Sequence, residues 1–150
     1  MTAFALADRD GVATWFAGAL MVEKASGGPF DVLDQTVPPG YAPPRHVHHA
    51  EDEAWYVLAG EVTFWCGDAT LQAGPGGFVF LPRGVEHCFK VGSEGARLLT
   101  FALPSGFAEF VRAAGRPAEA LTVPPPEEPD VAALAATAAR FGIEITGPPR

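Results

Sequence analysis

The sequence predicts an all-β domain, a sandwich or barrel, with short C-terminal helices. Short apolar runs alternate with Gly- and Pro-containing turn clusters as far as Leu103, in a chain with 17 Gly and 15 Pro. Beyond Leu103 the apolar spacing changes from strand-like to helix-like. A chain of 150 residues, 48% of them hydrophobic, can fill one core. One domain is therefore expected over 1–150, with a barrel over about 12–103 and a helical and extended tail over about 104–150.

In chain order, Trp15–Val22, Phe30–Val37, Ala54–Leu58, Glu61–Cys66, Gly77–Leu81, His87–Val91 and Arg97–Leu103 read as strands. Ser26-Gly27-Gly28-Pro29, Pro38-Pro39-Gly40, Gly67-Asp68 and Ala73-Gly74-Pro75-Gly76 supply positive-φ or pre-set turn residues between them. In Pro82-Arg83-Gly84 the Pro and Gly suit the second and fourth positions of a type I turn. Ser105 is placed to cap a helix whose apolar positions are Phe107, Phe110, Val111 and Ala114. The proline-rich stretch Arg116–Pro129 reads as an extended linker over the surface. Asp130 then caps a second helix with Val131, Leu134, Ala135, Ala138 and Phe141 on one face, ended by Gly142. This tail is expected to pack on the barrel or on a partner subunit.

Composition removes several classes of function. A net charge of -8 argues against a nucleic-acid or anionic-membrane partner, because those need a basic face. Two cysteines, Cys66 and Cys88, make no disulfide framework, and both read as structural thiols. Met1–Gly11 lacks a basic region followed by an apolar stretch, so no signal peptide is expected. Val12–Val22 is too short to span a bilayer and is interrupted by Gly18. A cytoplasmic location is the default expectation.

All four histidines fall in two segments, His46-Val47-His48-His49 and His87, with Glu53 five residues after His48. Imidazole plus carboxylate is a transition-metal ligand set. Successive strand side chains point to opposite faces, so His46 and His48 project together and His49 points away. Glu53 lies an odd number of residues from His48 and would face the wrong way in an unbroken strand. A turn through His49-Ala50-Glu51-Asp52 lets it open the next strand facing inward. His87, after the Pro82 turn, can enter the same interior from a neighbouring strand. Each residue alone is more often a surface or hydrogen-bonded side chain than a ligand; their joint spacing carries the argument. Three neutral imidazoles and one carboxylate leave a divalent ion with one net positive charge and open positions, a catalytic arrangement.

These residues resemble a known family. Gly40, His46, His48, Glu53 and Gly60 reproduce the first cupin motif, G-x5-H-x-H-x4-E-x6-G, without a mismatch. Gly76, Pro82, Gly84 and His87 reproduce the second, G-x5-P-x-G-x2-H, with Val91 in place of its usual final Asn. Fifteen residues separate Gly60 from Gly76, near the short end of the family's range. The resemblance implies a double-stranded β-helix, or cupin jelly-roll barrel, with His46, His48, Glu53 and His87 as metal ligands. His49 is then a rim or outer residue. The metal is one divalent transition ion, and Fe, Mn, Ni, Co, Cu and Zn all suit the donor set.

Pro44–Gly60, the Trp15-Phe16 strand and Pro104-Ser105-Gly106-Phe107 more loosely resemble small bacterial cupins of the quercetin 2,3-dioxygenase-like group. That resemblance implies a dioxygenase acting on a small aromatic or flavonol-like substrate, with Glu53 as ligand and catalytic base. Trp55, Val57, Val85 and Phe89 share the inward parity, and Phe64, Phe78, Phe80 and Phe101 are candidates for the same cavity wall. Arg45 and Arg83 are candidates for the mouth, with a solvated role the commoner one for each. A metal-dependent isomerase, decarboxylase or lyase, or a non-catalytic small-molecule-binding cupin, remain the alternatives. Exposed strand edges and the family's habit imply a homodimer covered by the N-terminal strand and C-terminal helices.

Overall fold

The structure, a computed structural model, describes residues 2–150; Met1, the first residue of the N-terminal segment read above, lies outside them. Two antiparallel sheets face one another. The larger has strand order β11-β1-β2-β3-β10-β5-β8, built from β1 (Val12–Phe16), β2 (Ala19–Ala25), β3 (Asp31–Val37), β5 (Asp52–Ala59), β8 (Phe78–Leu81), β10 (Ala96–Leu103) and the two-residue β11 (Arg116–Pro117). The smaller has order β12-β4-β9-β6-β7, from β4 (Arg45–His48), β6 (Val62–Cys66), β7 (Ala69–Ala73), β9 (His87–Val91) and β12 (Ile143–Gly147). Two helices, α1 (Phe107–Ala114) and α2 (Val131–Ala139), follow the barrel strands. The arrangement is a jelly-roll, the all-β fold expected. Among the described residues no helix is long and apolar enough to cross a membrane.

Alternation sets the interior. Trp55, Val57, Phe64, Phe89, Val91 and Leu98 meet between the sheets in one buried cluster. A second cluster joins Phe16, Met21 and Leu33 to Phe107, Phe110, Val111, Ala138 and Ile143. The N-terminal hairpin and the tail therefore cover one end of their own barrel. At the other end Gly60 adopts φ +90°, and a Cβ there would lie 2.2 Å from the Gly95 carbonyl oxygen. Any side chain would push the two loops apart, which is why the first motif ends in glycine.

Several expectations need correction. Trp15–Val22 is not one strand: Ala17 and Gly18 both take positive φ, a two-residue turn that folds the run into the β1–β2 hairpin. β7 is an added, largely exposed edge strand, and its polar ATLQA sequence hid it. β12 was missed because its five residues follow a helix stop; Ile143 and Ile145 nevertheless alternate, and they pair with His48 and His46. Arg116–Pro129 is extended as expected, apart from the pairing of Arg116–Pro117 with β1. Asp130 does cap α2, accepting from the Ala133 amide, but Val131 is exposed rather than on the buried face.

Ser105 does not cap α1. Gly106 is the N-cap, and the Ser105 hydroxyl donates to the Gly28 carbonyl. The capping oxygen comes from Asp31 on β3, 1% exposed. Its Oδ2 accepts from the Gly106 and Ala108 amides at 2.8 and 2.9 Å, and its Oδ1 from Gly27 at 3.0 Å. One carboxylate thus ties the β2–β3 turn, the barrel and the helix start together. Asp31→Ala strands three backbone donors and is expected to cost about 3 kcal/mol in chemical denaturation. A change below about 0.5 kcal/mol would remove this role for Asp31.

Candidate metal centre

β4 delivers His46 and His48 to one face, and it is held between β9 and β12. The chain bends at His49 and Ala50, and β5 begins at Asp52, so Glu53 enters facing the pair. His87 opens β9 directly opposite His46 in the ladder. One ligand atom from each of His46, His48, Glu53 and His87 lies within 4.8 Å of all the others. Glu53 Oε2 is 2.8 Å from His87 Nε2 and 3.0 Å from His48 Nε2. The four residues named from the sequence are therefore brought together.

The outward nitrogens are spoken for. His46 Nδ1 donates to the Pro44 carbonyl at 2.7 Å, His87 Nδ1 to the Val85 carbonyl at 3.3 Å, and His48 Nδ1 to Glu51 Oε1 at 2.7 Å. Each bond occupies Nδ1 and leaves Nε2 facing the common point, the outer-partner arrangement of metal-binding histidines. Ligands about 2.1 Å from an ion are at most about 4.2 Å apart, so closure on the order of half an ångström suffices. The donor set and its spacing fit one divalent transition ion.

Burial and the neighbouring imidazoles His87 and His48 lower the His46 pKa to about 3. Burial also acts to lower His48, but the Glu53 charge and hydrogen bonds to Glu51 and Glu53 outweigh it and hold that imidazole up at about 10. For Glu53 burial favours the neutral acid, yet His48 and His87 win and keep the carboxyl well below the usual range. Without an ion, an imidazolium–carboxylate pair occupies the centre.

Three of the four, His46, His48 and Glu53, line a cavity of about 60 Å³. Its apolar wall includes Phe16, Met21, Trp55, Phe107, Phe110 and Ile143. Half-buried Tyr41, Pro43, Pro44, Leu134 and Ile145 mark its side towards solvent. Trp55 and Phe89 line it as their parity predicts, but Val57 and Phe64 lie deeper in the core. Val85 is half-buried just ahead of β9. Phe78 and Phe80 are 63% and 50% exposed, because they pair with Tyr56 and Ala54 on the outer face; Phe101 shares that row. His49 is exposed, bonded to Glu144 at 3.0 Å, and does not line the cavity. Arg83 pairs with Asp52, and Arg45 reaches Glu86 and the Pro148 carbonyl. Neither arginine lines the cavity.

Sequence reasoning missed Glu51, Gln35, Thr100 and the whole contribution of the tail. Glu51 was legible as an acid three residues after His48 within the turn. Phe107, whose ring meets His48 edge-on at 5.7 Å, carried no local signal.

Comparison with known proteins agrees with this geometry. Residues 33–102 match the Cupin domain family, a span that holds both motifs and all four candidate ligands. Residues 33–102 thus carry a match to the cupin domain, and the jelly-roll strands around them are consistent with it. The chain is similar to quercetin 2,3-dioxygenase of Bacillus subtilis, 29% identical over 97 residues, or 65% of this chain and 29% of that one. The chain thus spans under a third of that enzyme's length. Among solved structures, KdgF from Halomonas sp. superposes with a TM-score of 0.63 at 15% identity, over 71% of this chain and 99% of that one. TT1209 from Thermus thermophilus gives 0.53 at 28% identity, over 57% and 83%.

Proposed function

We propose that this protein is a metal-dependent dioxygenase acting on a small hydroxylated substrate of aromatic or enolic type. The observation that carries the reading is the convergence of three imidazoles and one carboxylate beside an apolar cavity that His46, His48 and Glu53 line. Similarity to the quercetin 2,3-dioxygenase supports the choice of oxygen chemistry. His46, His48, Glu53 and His87 would hold a divalent ion, which when bound would supply Lewis acidity and redox capacity towards dioxygen. Glu53 is both ligand and base, taking the hydroxyl proton on its carboxylate. Phe16, Phe107 and Phe110, with Phe16 edge-on to the other two rings, exclude water and make the wall apolar.

The cavity volume bounds what enters. About 60 Å³ is under half of the ~150 Å³ that houses benzene in an engineered protein cavity. Only the reacting end of a flavonol-sized molecule lies inside, with the remainder in the mouth beside Pro43, Pro44 and Ile145. The test is oxygen uptake by protein loaded in turn with Fe, Mn, Co, Ni or Cu, using catechols and flavonols. Metal-dependent uptake with ring-opened product is the expected result. Turnover without oxygen consumption would move the protein to the isomerase, decarboxylase and lyase group. Binding without turnover would make it a small-molecule carrier.

We also propose a homodimer. The hairpin and tail are already packed on their own barrel, so the face left apolar is the outer side of β5 and the edge strand β8, with Tyr56, Leu58, Phe78 and Phe80 exposed. Phe78→Lys with Phe80→Lys is expected to convert a dimer to a monomer in gel filtration. A 15.7 kDa monomer for the unaltered chain would dismiss the proposal.

A further inference from the structure

Beyond the tetrad, the cavity wall holds polar side chains whose donors the fold leaves unused. Gln35 on β3 is 3% exposed. Its Oε1 accepts from the Thr100 hydroxyl at 2.9 Å, a buried bond across neighbouring strands. That bond orients the amide and leaves the Nε2 donors for some other acceptor. Trp55, 2% exposed, carries a buried Nε1–H with no hydrogen-bond partner. Tyr41 adds a phenol that burial pushes up and so keeps protonated. All three side chains line the same cavity as His46, His48 and Glu53.

Buried donors without acceptors are costly, on the order of 1–3 kcal/mol each, and are uncommon unless a ligand or water completes them. Trp55 Nε1–H is such a donor, and the Gln35 amide, its oxygen already held by Thr100, lines the same cavity, so the two make sense as half of a recognition pair. The complement to N–H and O–H donors is an oxygen acceptor. Among the described residues no Lys or Arg lines the cavity, so nothing on that wall neutralises a carboxylate or phosphate. Neutral donors on that wall therefore suit an uncharged acceptor, any anionic group being left to the metal end of the cavity. A volume of about 60 Å³ confines the acceptor to a compact molecule or a compact end of one.

From this geometry we infer that Gln35, braced by Thr100, is a specificity-determining residue that selects a compact hydroxy-carbonyl group, its amide donating to the carbonyl oxygen and Trp55 Nε1 supplying a second donor. The inference rests on the cavity being the substrate site, as in the proposed function, but not on oxygen chemistry. It separates substrates that carry a carbonyl from phenols and catechols that lack one, a distinction the tetrad does not make.

The test uses two probes of the same shape, hydroxyacetone and 2-methylprop-2-en-1-ol, in which C=CH2 replaces C=O. Each is titrated into zinc-loaded protein and followed by 1H–15N NMR of the Gln35 side-chain amide and the Trp55 indole. Hydroxyacetone is expected to shift both signals and to bind at least tenfold more tightly than the alkene. Gln35→Leu, or Gln35→Met if the first variant is unstable, should reduce that preference to less than twofold while leaving zinc content unchanged. Equal binding of the two probes, binding of neither, or a preference that survives both variants would overturn the inference. Zinc and equilibrium binding keep the result independent of oxygen uptake: a failed oxygenase assay leaves this outcome readable, and a failed titration leaves the oxygenase reading standing.

Discussion

His87→Ala is expected to leave a folded barrel that has lost its metal. The side chain sits at the start of β9, opposite His46, and contributes one of four ligand atoms. Loss of an outer partner of a ligand typically costs 10–100-fold in metal affinity, so Glu51→Ala, which releases His48 Nδ1, should fall in that range. Removing a ligand outright should exceed a hundredfold, read by chelator competition. The same ion stabilises the native state by linkage, about 2.7 kcal/mol at a hundredfold excess over Kd. EDTA should therefore lower the melting temperature of the unaltered protein by roughly 5–10 °C and leave His87→Ala unmoved. Full metal content in His87→Ala, or no effect of EDTA on either protein, would remove the metal centre.

The second large effect concerns the protein stripped of metal, whose stability should peak near pH 6.5 and fall on both sides. An unfolded histidine titrates at about 6.5. His46 in the folded chain takes its proton only at about 3, so below 6.5 the unfolded state binds the extra proton and folding weakens. His48 is the opposite case. Its folded value of about 10 gives stability that is complete below 6.5 and lost as pH rises towards 10. Each limb should approach a slope of one proton, about 1.4 kcal/mol per pH unit. Denaturant midpoints from pH 4 to 9 on chelated protein measure the curve, and His48→Gln should flatten its alkaline limb. A flat profile for the parent protein would show that the imidazoles carry no such asymmetry.

Both effects arise from residues that stand out in the amino-acid order alone. His46 and His48 share a face because strand side chains alternate, and the polar segment after them had to turn for Glu53 to join them. The two motifs placed His87 in the same interior. Local spacing encodes such information well, since it depends only on backbone period and on where a turn interrupts it. The same logic failed at Phe78 and Phe80. Their alternation was clear, but which of the two faces is the inner one depends on register against β5, a partner more than twenty residues away. It failed again at Ser105, where a distant carboxylate, Asp31, took the capping role from the neighbouring hydroxyl.

The class of fold and the candidate ligand cluster were thus readable from the order of the residues, the first from short-range periodicity and turn chemistry, the second from strand parity together with the two motifs that add His87. The shape and chemistry of the cavity were not. Phe107, Phe110 and Ile143 reach it from the tail, and Phe16 and Met21 from the N-terminal hairpin. Gln35 and Thr100 meet across two strands more than sixty residues apart. Those contacts exist only after the chain has closed, since burial and pairing between distant segments are properties of the packed whole and leave no mark in any local window.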